Sequence, residues 1–298
     1  MAISISTDRT DETGKELLTY GTDDFPIAFF DDDLSKVKVP WHWHDELEIV
    51  IILSGEVIVS FRGKEYLLKE KEGYFANSSI LHCARLKSET GWQHALVFDP
   101  RVIAHPDDLV WKQYISPLLS NEKIPFIRLS KDLDWHRRII ELSERVWQYG
   151  AYEKKDYPLI VRSCLSEAFS QIIEHMDDIP YDHNDINEIL KDEIRIKKSL
   201  HFIDRHYMDD ISIEDIANSC NISVSTLLRL FRKILHTTPI QYLLKYRLDQ
   251  IAALLLSDND SSISRIAYAH GFNDISYFNR CFLKEFGITP SEYRRNNR

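Results

Sequence analysis

The sequence predicts a multidomain α+β protein, with a β-barrel or sandwich at the N-terminus and an all-helical region at the C-terminus. Three observations lead to this prediction. The chain has 298 residues, more than one ordinary domain needs. Residues 24–103 are rich in β-branched side chains interrupted by glycines, whereas the apolar spacing beyond residue 130 is helical. The last stretch of roughly ninety residues contains an internal repeat, which indicates two copies of one helical unit.

Charge is distributed unevenly along the chain. The net charge is −10 overall, from 37 basic and 47 acidic residues. Residues 191–298 carry 16 basic and 13 acidic residues, a net of +3, which leaves −13 for residues 1–190. This asymmetry indicates separate functions for the two halves.

No apolar stretch is long enough for a transmembrane helix, and the first twenty residues lack the apolar core of a signal peptide. Four scattered cysteines (Cys83, Cys164, Cys220, Cys281) fit neither a disulfide framework nor a CxxC metal site, so we expect a cytoplasmic protein.

The β-rich part is followed by a predicted helix pair. The strands are expected in "LEIVIILSGEVIVSFRGKEYLL" (47–68) and "GWQHALVFD" (91–99), after an N-terminal arm over residues 1–23. Two sets of apolar residues follow, and within each set the spacing is helical. We expect them on two antiparallel helices separated near Gly150. The two stripes either pack against the β-domain or form an exposed dimer interface. They are Trp135, Ile139, Leu142, Val146 and Tyr149, and Val161, Leu165, Ala168 and Ile172. An acidic stretch containing Pro180, residues 176–190, is the predicted linker between domains 24–175 and 191–298.

The repeat relates residues 50 or 51 positions apart. Ser212, Ile213, Ile216 and Ala217 recur as Ser262, Ile263, Ile266 and Ala267, and seven residues from Ser225 to Tyr242 recur between Ser276 and Tyr293. Each copy has the signals of a helix-turn-helix, which we expect at about 212–235 and 262–286. In the first copy, Ser212 with Asp215 forms a capping box, Asn221 suits a left-handed turn, and Ser223 caps the second helix.

The second helix of each copy has one apolar face and one polar face. The predicted buried residues are Leu227, Leu230, Phe231 and Ile234 in the first copy, and Phe278, Phe282 and Phe286 in the second. Arg and Asn on the opposite face can bond base edges, while Ser, Lys and Tyr suit phosphates. The predicted DNA-binding residues are Ser223, Ser225, Thr226, Leu228, Arg229, Arg232, Asn273, Asp274, Ser276, Tyr277, Asn279 and Arg280. The alternative is a helical bundle with a solvated polar face.

A helix predicted between the copies would space them apart. Its apolar stripe is Ile240, Leu243, Leu244, Leu248, Ile251 and Leu255. At about 17 residues it would span about 26 Å, the order of one DNA turn. Two recognition helices could then enter successive major grooves.

These features resemble the DNA-binding domain of the AraC/XylS family of bacterial transcription regulators. The resemblance covers about residues 193–296, and its most specific part is "ISRIAYAHGFNDISYFNRCFLKEFGITPSEYRR" (263–295). The first copy departs from the family pattern at Asn221, where glycine is common. By this resemblance, Arg229 and Arg280 lie where family members contact promoter DNA.

The stretch "WHWHDELEIV" (41–50) contains candidate metal ligands. His42, His44 and Glu48 have the same parity, so on one strand over 42–53 they would share a face. With His82, they form a donor set suited to a divalent transition metal. The spacing from His42 to Gly55 resembles the first motif of the cupin family, and His82 resembles the histidine of the second, which implies a barrel over about 24–103. Asn77, Ser78 and Ser79 replace the usual Pro-x-Gly of that second motif.

The sequence therefore predicts a transcription regulator whose N-terminal barrel binds a small effector, such as a sugar or related metabolite. We expect His42, His44, Glu48 and His82 to line the effector pocket, and no cofactor is assigned. The expected partners are double-stranded promoter DNA, a second copy of the chain in a homodimer, and RNA polymerase, with no membrane. The alternatives are a metal-dependent cupin enzyme, such as a dioxygenase or isomerase, and a metal-sensing regulator.

Overall fold

The computed structural model describes residues 3–4, 15–16, 21–22, 24–179, 186–257 and 261–296. The chain divides into two compact units, and the division falls between Leu190 and Lys191. The first unit holds two β-sheets and a helix pair, and the described part of the second is helical. The predicted fold class, an α+β chain with a β-rich N-terminal domain and a helical C-terminal domain, is confirmed.

The described strands of the first unit form a six-stranded and a four-stranded sheet. The first sheet has the order β1-β2-β9-β4-β7-β10, and the second has the order β3-β8-β5-β6. The strands are β1 (Ile3–Ser4), β2 (Ile27–Asp33), β3 (Val39–His42), β4 (Leu47–Ser54), β5 (Glu56–Phe61), β6 (Lys64–Lys69), β7 (Gly73–Ala76), β8 (His82–Leu86), β9 (Trp92–Phe98) and β10 (Phe126–Leu129).

Strand β4 lies inside the first sheet and is buried on both faces. Ile49 and Ile51 join an apolar cluster that includes the helix pair, whereas Val50 and Ile52 join a cluster shared with the second sheet. A strand covered on both sides reads as a continuous apolar run, which explains the "IVII" of its sequence. Because Glu48 has the parity of Val50 and Ile52, its carboxylate faces the interior between the sheets.

Two strands lie outside the predicted β-region. Within the expected arm, Ile3 and Ser4 pair in parallel with Phe29 and Phe30 of β2, and Lys15 forms an isolated bridge with Trp43. Strand β10 pairs with β7 from beyond residue 103. Both pairings join segments distant in sequence, and their own short stretches carry no alternation long enough to predict a strand.

The helix pair consists of α2 (Asp134–Gly150) and α3 (Tyr157–Glu174), preceded by the short α1 (Ser116–Leu119). The two predicted helices are confirmed. The inner residues of both stripes, from Ile139 to Val146 and from Val161 to Ile172, are buried in the cluster that covers the first sheet. The stripes therefore pack against their own β-domain, and the alternative of an exposed dimer stripe is wrong for these residues.

Gly150 ends α2 directly against the ring of Phe29. A Cβ at this position would overlap the aromatic ring, which is itself fully buried on β2. Gly150→Ala is therefore expected to lower the free energy of unfolding of the first unit by about 1–3 kcal/mol, the usual cost of overpacking. Urea denaturation would measure this loss. The loss should shrink in a Phe29→Leu background, where space is available, and an equal loss in both backgrounds would contradict the steric explanation.

The predicted linker over 176–190 is wrong at its C-terminal end, because α4 begins at Ile186 and runs to His206. Its first turns do contain apolar residues, but Ile189 and Leu190 are only half-buried and Ile194 is exposed, so the fully buried apolar side chains of this helix start at Ile196. A 3₁₀ turn spans Met176–Asp178, and residues 180–185 lie outside the described part. No helix among the described residues combines the length and the apolar character that crossing a membrane requires.

The second unit continues with two helix-turn-helix units joined by one long helix. Its helices are α5 (Ile213–Ser219), α6 (Val224–Leu230), α7 (Pro239–Ser257), α8 (Ile263–Ala269), α9 (Ile275–Phe286) and α10 (Pro290–Asn296). The predicted capping box of Ser212 and Asp215 is confirmed. The turns that follow α5 and α8 contain left-handed residues, Asn221 with φ 55° and Gly271 with φ 80°. Asn tolerates this conformation better than other non-glycine residues, so the first copy keeps its turn.

Helix α7 has 19 residues, about 28 Å at 1.5 Å per residue, close to the predicted spacer. Leu243, Leu248, Ile251 and Leu255 are buried as predicted, and Leu244 is half-buried. The prediction is wrong for Ile240, which is exposed in the first turn of the helix. Apolar spacing alone does not show where a stripe leaves the core.

Candidate functional sites

His42, His44, Glu48 and His82, here called the His–Glu cluster, converge between the two sheets of the first unit. Strand β3 ends at His42, whose pairing partner on β8 is His82. Glu48 belongs to β4 of the other sheet, and His44 lies in the connection between β3 and β4. The expectation of one strand over 42–53 is wrong, because the chain leaves the second sheet after His42 and enters the first at Leu47.

The four side chains offer one ligand atom each, and these atoms all lie within 4.8 Å of one another. His82 Nε2 is 2.8 Å from Glu48 Oε2, and His44 Nε2 is 4.0 Å from the same oxygen. All four residues are buried, with His44 and His82 each only 1% exposed. The sequence predicted all four residues at one site, three of them from strand parity and His82 from its resemblance to the second cupin motif, and the structure brings all four together.

Each histidine of the cluster is anchored through its Nδ1 atom. The Nδ1 atoms of His42, His44 and His82 lie 2.9, 3.1 and 2.7 Å from the backbone carbonyl oxygens of Pro40, Glu46 and Ile80. A carbonyl can only accept, so each Nδ1 carries the hydrogen, and the Nε2 of a neutral ring then presents a lone pair. His44 Nε2 is buried and has no hydrogen-bond partner among the described residues. Histidines that bind metals are oriented in this way.

Burial and mutual charge set the ionisation of the cluster. Burial, together with neighbouring His82 and His44, lowers the pKa of His42 to about 3. Burial also lowers the pKa of His44. Burial opposes the ionisation of Glu48, but the three histidines outweigh it and lower the pKa of that carboxyl to about 2. Glu48 in turn overcomes the effect of burial on His82 and raises its pKa.

Two residues beside the cluster were missed in the sequence. Tyr74 of β7 donates a hydrogen bond from its hydroxyl to Glu48 Oε2 at 3.2 Å, and Glu16 Oε2 lies 3.7 Å from His42 Nε2. Neither residue belongs to a recognisable motif, and only the pairing of distant segments brings them here. The donor set of three imidazoles and one carboxylate fits a divalent transition metal. The same convergence of polar groups in an apolar interior also suits a small polar ligand.

The second candidate site is the exposed face of the second helix in each helix-turn-helix. In the first copy, Leu227, Leu230, Phe231 and Ile234 are buried, as predicted. The predicted DNA-binding residues lie on the opposite side. Ser223, Ser225, Arg229 and Arg232 are exposed, while Thr226 and Leu228 are half-buried.

The second copy presents the equivalent face on α9. Phe278 and Phe282 are buried as predicted, and Phe286 is half-buried. The polar residues of the predicted interface are all exposed: Asn273, Asp274, Ser276, Tyr277, Asn279 and Arg280. The structure thus groups the predicted residues of each copy on one solvent-facing surface.

Two of these predicted DNA-binding residues also cap their own helices. Ser223 Oγ accepts a hydrogen bond from the Thr226 amide at 3.3 Å, and Asp274 Oδ1 accepts one from the Tyr277 amide at 2.9 Å. Caps of this kind satisfy amides that the first turn leaves free. A carboxylate repels phosphate, so the structure supports the capping role of Asp274 more directly than a contact with DNA.

Helices α6 and α9 differ in regularity. Helix α6 continues into a π-helical turn over Phe231–Leu235 and stops at left-handed His236, whereas α9 is α-helical up to the left-handed Gly287. Isolated π-turns are frequent at functional sites. The sequence repeat did not predict this difference, since Phe231 and Phe282 match.

Two family models match the chain in separate regions. A model described as AraC-like ligand binding domain matches residues 25–103, and one described as helix-turn-helix domain matches residues 216–296. The first region contains the His–Glu cluster, and the second contains the exposed faces of both α6 and α9.

Two relatives that match this chain over nearly their whole length are named as transcriptional regulators. The chain is 27% identical over 291 residues to YdeC of Bacillus subtilis, an uncharacterized HTH-type transcriptional regulator, with 96% of this chain and 98% of YdeC covered. It is 24% identical to RhaS of an Enterobacter species, an HTH-type transcriptional activator, with 91% and 92% covered. The solved structure of ToxT from Vibrio cholerae O395 is 14% identical and covers 92% of this chain and 98% of its own, with a TM-score of 0.42.

Proposed function

Because this chain belongs to the AraC family of transcription regulators, with an N-terminal ligand-binding domain and a C-terminal DNA-binding domain, we propose that α6 and α9 read promoter DNA under the control of the His–Glu cluster. One observation carries the proposal. Two helices related by the repeat each bury one face and expose the other, with Arg229 and Arg280 at matched positions. An arginine can bond guanine through two parallel hydrogen bonds.

The arginine assignment makes a direct prediction. Arg229→Ala and Arg280→Ala should each weaken binding to the cognate duplex by about 1–3 kcal/mol and relax base preference at one position. Fluorescence anisotropy of the full-length chain would measure this, using a duplex selected by the wild-type protein from a random library. Arg205→Ala on α4 is the control for loss of one positive charge. If both arginine variants bound the selected duplex as the wild type does, α6 and α9 would not be the reading helices.

We propose that the signal binds at the His–Glu cluster. The cluster lies within the region matched by the ligand-binding model and gathers donors and acceptors in an otherwise apolar interior. A small hydroxylated molecule, such as a sugar or related metabolite, could exchange hydrogen bonds with these groups. A ligand that binds one conformation better than another shifts the population, which is how the signal would control DNA binding.

Metal sensing is the second candidate for this site, and the three anchored rings favour it. Each Nδ1 is held by a carbonyl, so the three Nε2 atoms and Glu48 are already oriented for a common ligand. A bound divalent transition metal would take over the stabilisation of the buried Glu48 carboxylate, which His82 Nε2 otherwise provides from 2.8 Å. It would also join β3, β4 and β8 through one centre. The regulator would then respond to metal directly or through a ligand of that metal.

The remaining parts of the proposal concern partners. We propose a homodimer, formed by surface outside the buried stripes of α2 and α3, and an interaction with RNA polymerase at the promoter. RhaS is named an activator, which supports activation as the mode of action. We further propose that the chain acts in the cytoplasm. We also propose that it is not an enzyme, because the exposed faces of α6 and α9 would have no role in catalysis. The mass of the complex between the full-length chain and a selected duplex, measured by sedimentation, would test the dimer. A complex with one chain per duplex would contradict it.

A further inference from the structure

A buried carboxylate lies beneath the first recognition helix. Asp192 of α4 is only 1% exposed, and three basic side chains surround it. Lys233 Nζ donates a hydrogen bond to Oδ2 at 3.3 Å, and Arg195 Nη1 donates to Oδ1 at 3.4 Å. Arg229 Nη2 is 3.9 Å from the same Oδ1, a distance of ionic attraction without a hydrogen bond.

We infer that Asp192 is a positioning residue for DNA recognition, setting the discrimination of the first helix-turn-helix by holding Arg229 and Lys233. This inference rests on the proposed function of α6. The side chains of Arg229 and Lys233 are 52% and 49% exposed, so their charged ends reach solvent while the partner beneath them does not. A buried carboxylate is fixed by packing, and it therefore gives both cations a fixed point of attraction.

The two cations are held differently. Arg229 is attracted without giving up a hydrogen bond to Asp192, so its donors are left for a base edge. Lys233 donates to the carboxylate, which keeps its ammonium from moving freely to a DNA phosphate. Asp192 thus orients Arg229 toward a base edge, where it contributes to sequence preference. It also restrains Lys233, whose contact with a phosphate would add only sequence-independent affinity.

The second copy lacks this carboxylate. Tyr242 of α7 precedes Ser262 by the same interval as Asp192 precedes Ser212, so a tyrosine stands at the corresponding place. Arg280 and Lys284 match Arg229 and Lys233 in the repeat. Asp192 is therefore specific to the first copy, as is the π-helical turn that carries Lys233.

Asp192→Asn tests the inference, because it removes the charge and keeps the shape of the side chain. The full-length variant would be titrated against the duplex selected by the wild type and against a scrambled duplex of the same composition. We expect binding to the scrambled duplex to strengthen about two- to fivefold, with a salt dependence steeper by up to about one unit, as one lysine is released to phosphate. Binding to the selected duplex should weaken, and the ratio of the two affinities should fall about tenfold.

Opposite changes on the two duplexes separate this role from a merely structural one. A variant damaged in folding would lose affinity for both duplexes, and thermal denaturation would show the damage. Asp210→Asn, an exposed loop residue, is the control for the same change of charge. In an Arg229→Ala background, Asp192→Asn should no longer weaken binding to the selected duplex.

The outcomes separate the two proposals. If the wild type selects no sequence, the proposed function fails. If it selects one, but Asp192→Asn leaves the ratio of affinities unchanged or acts as Asp210→Asn does, the inference about Asp192 is overturned while the proposed function stands. An unchanged effect of Asp192→Asn in the Arg229→Ala background would also overturn it.

Discussion

Replacing His44 by alanine is expected to abolish stoichiometric binding of a divalent transition metal to the full-length chain. His44 Nε2 lies buried among the other three ligand atoms and has no hydrogen-bond partner among the described residues. A site that loses one of four oriented donors loses most of its affinity. At a metal concentration about a thousandfold above Kd, the wild type should gain about 4 kcal/mol of stability from binding, and the variant should gain almost none. Elemental analysis and thermal denaturation with added Mn, Fe, Ni or Zn would measure both effects.

Two variants make this result interpretable. His105→Ala removes an exposed histidine far from the cluster in sequence and should keep the metal. Glu48→Gln keeps the shape of the carboxylate, so weakened binding in this variant cannot result from a cavity. A wild type that takes up no metal and shows no shift on addition of any of the four would contradict metal binding. The cluster would then remain a candidate site for an organic effector.

Phe282→Ala is expected to lower the free energy of unfolding of the second unit by about 3–5 kcal/mol. Phe282 is fully buried on α9, and its ring contacts those of Phe278, Phe286 and Tyr293. Removing it leaves a cavity where α9 meets α10. A loss of this size is comparable to a large fraction of the stability of a small domain.

The distribution of tryptophan makes this effect measurable in the whole chain. All six tryptophans lie before residue 190, so their fluorescence follows the first unit, while far-ultraviolet circular dichroism follows both. In urea, the variant should lose helical signal at lower concentration with an unchanged fluorescence transition. Leu283→Ala, at the exposed neighbouring position, should change the free energy of unfolding obtained from either signal by no more than about 0.5 kcal/mol. A common shift of both signals would show that the two units unfold together.

The helix-turn-helix pair could be predicted because its signals are local. Ser212 and Asp215 cap a helix within one turn, and Asn221 marks its own left-handed turn. The internal repeat then provides the same local signals a second time, in the second helix-turn-helix. The π-helical turn after α6 was not predictable, since Phe231 and its match Phe282 occur in the same pattern but in different backbone geometry.

The His–Glu cluster was predicted by an argument with a wrong premise. Equal parity requires one continuous strand, but the chain changes sheets between His42 and Leu47. The residues meet because His42 pairs with His82 and Glu48 faces the same interior from the opposite sheet. Asp192 lay beyond prediction for a related reason. An acid in the first turns of a helix is expected to be solvated until its contacts with the distant residues Arg229 and Lys233 are known.

Helix α4 has a consequence for anyone dividing the chain into fragments. The division between the two units falls between Leu190 and Lys191, inside a helix that begins at Ile186. A fragment starting at Lys191 would expose new amide groups at a truncated helix end, where no cap is available. It would also place a free amino terminus next to Asp192, as a competitor for the carboxylate that Arg229 and Lys233 share. An isolated DNA-binding fragment should therefore start before Ile186 if its sequence preference is to match that of the whole protein.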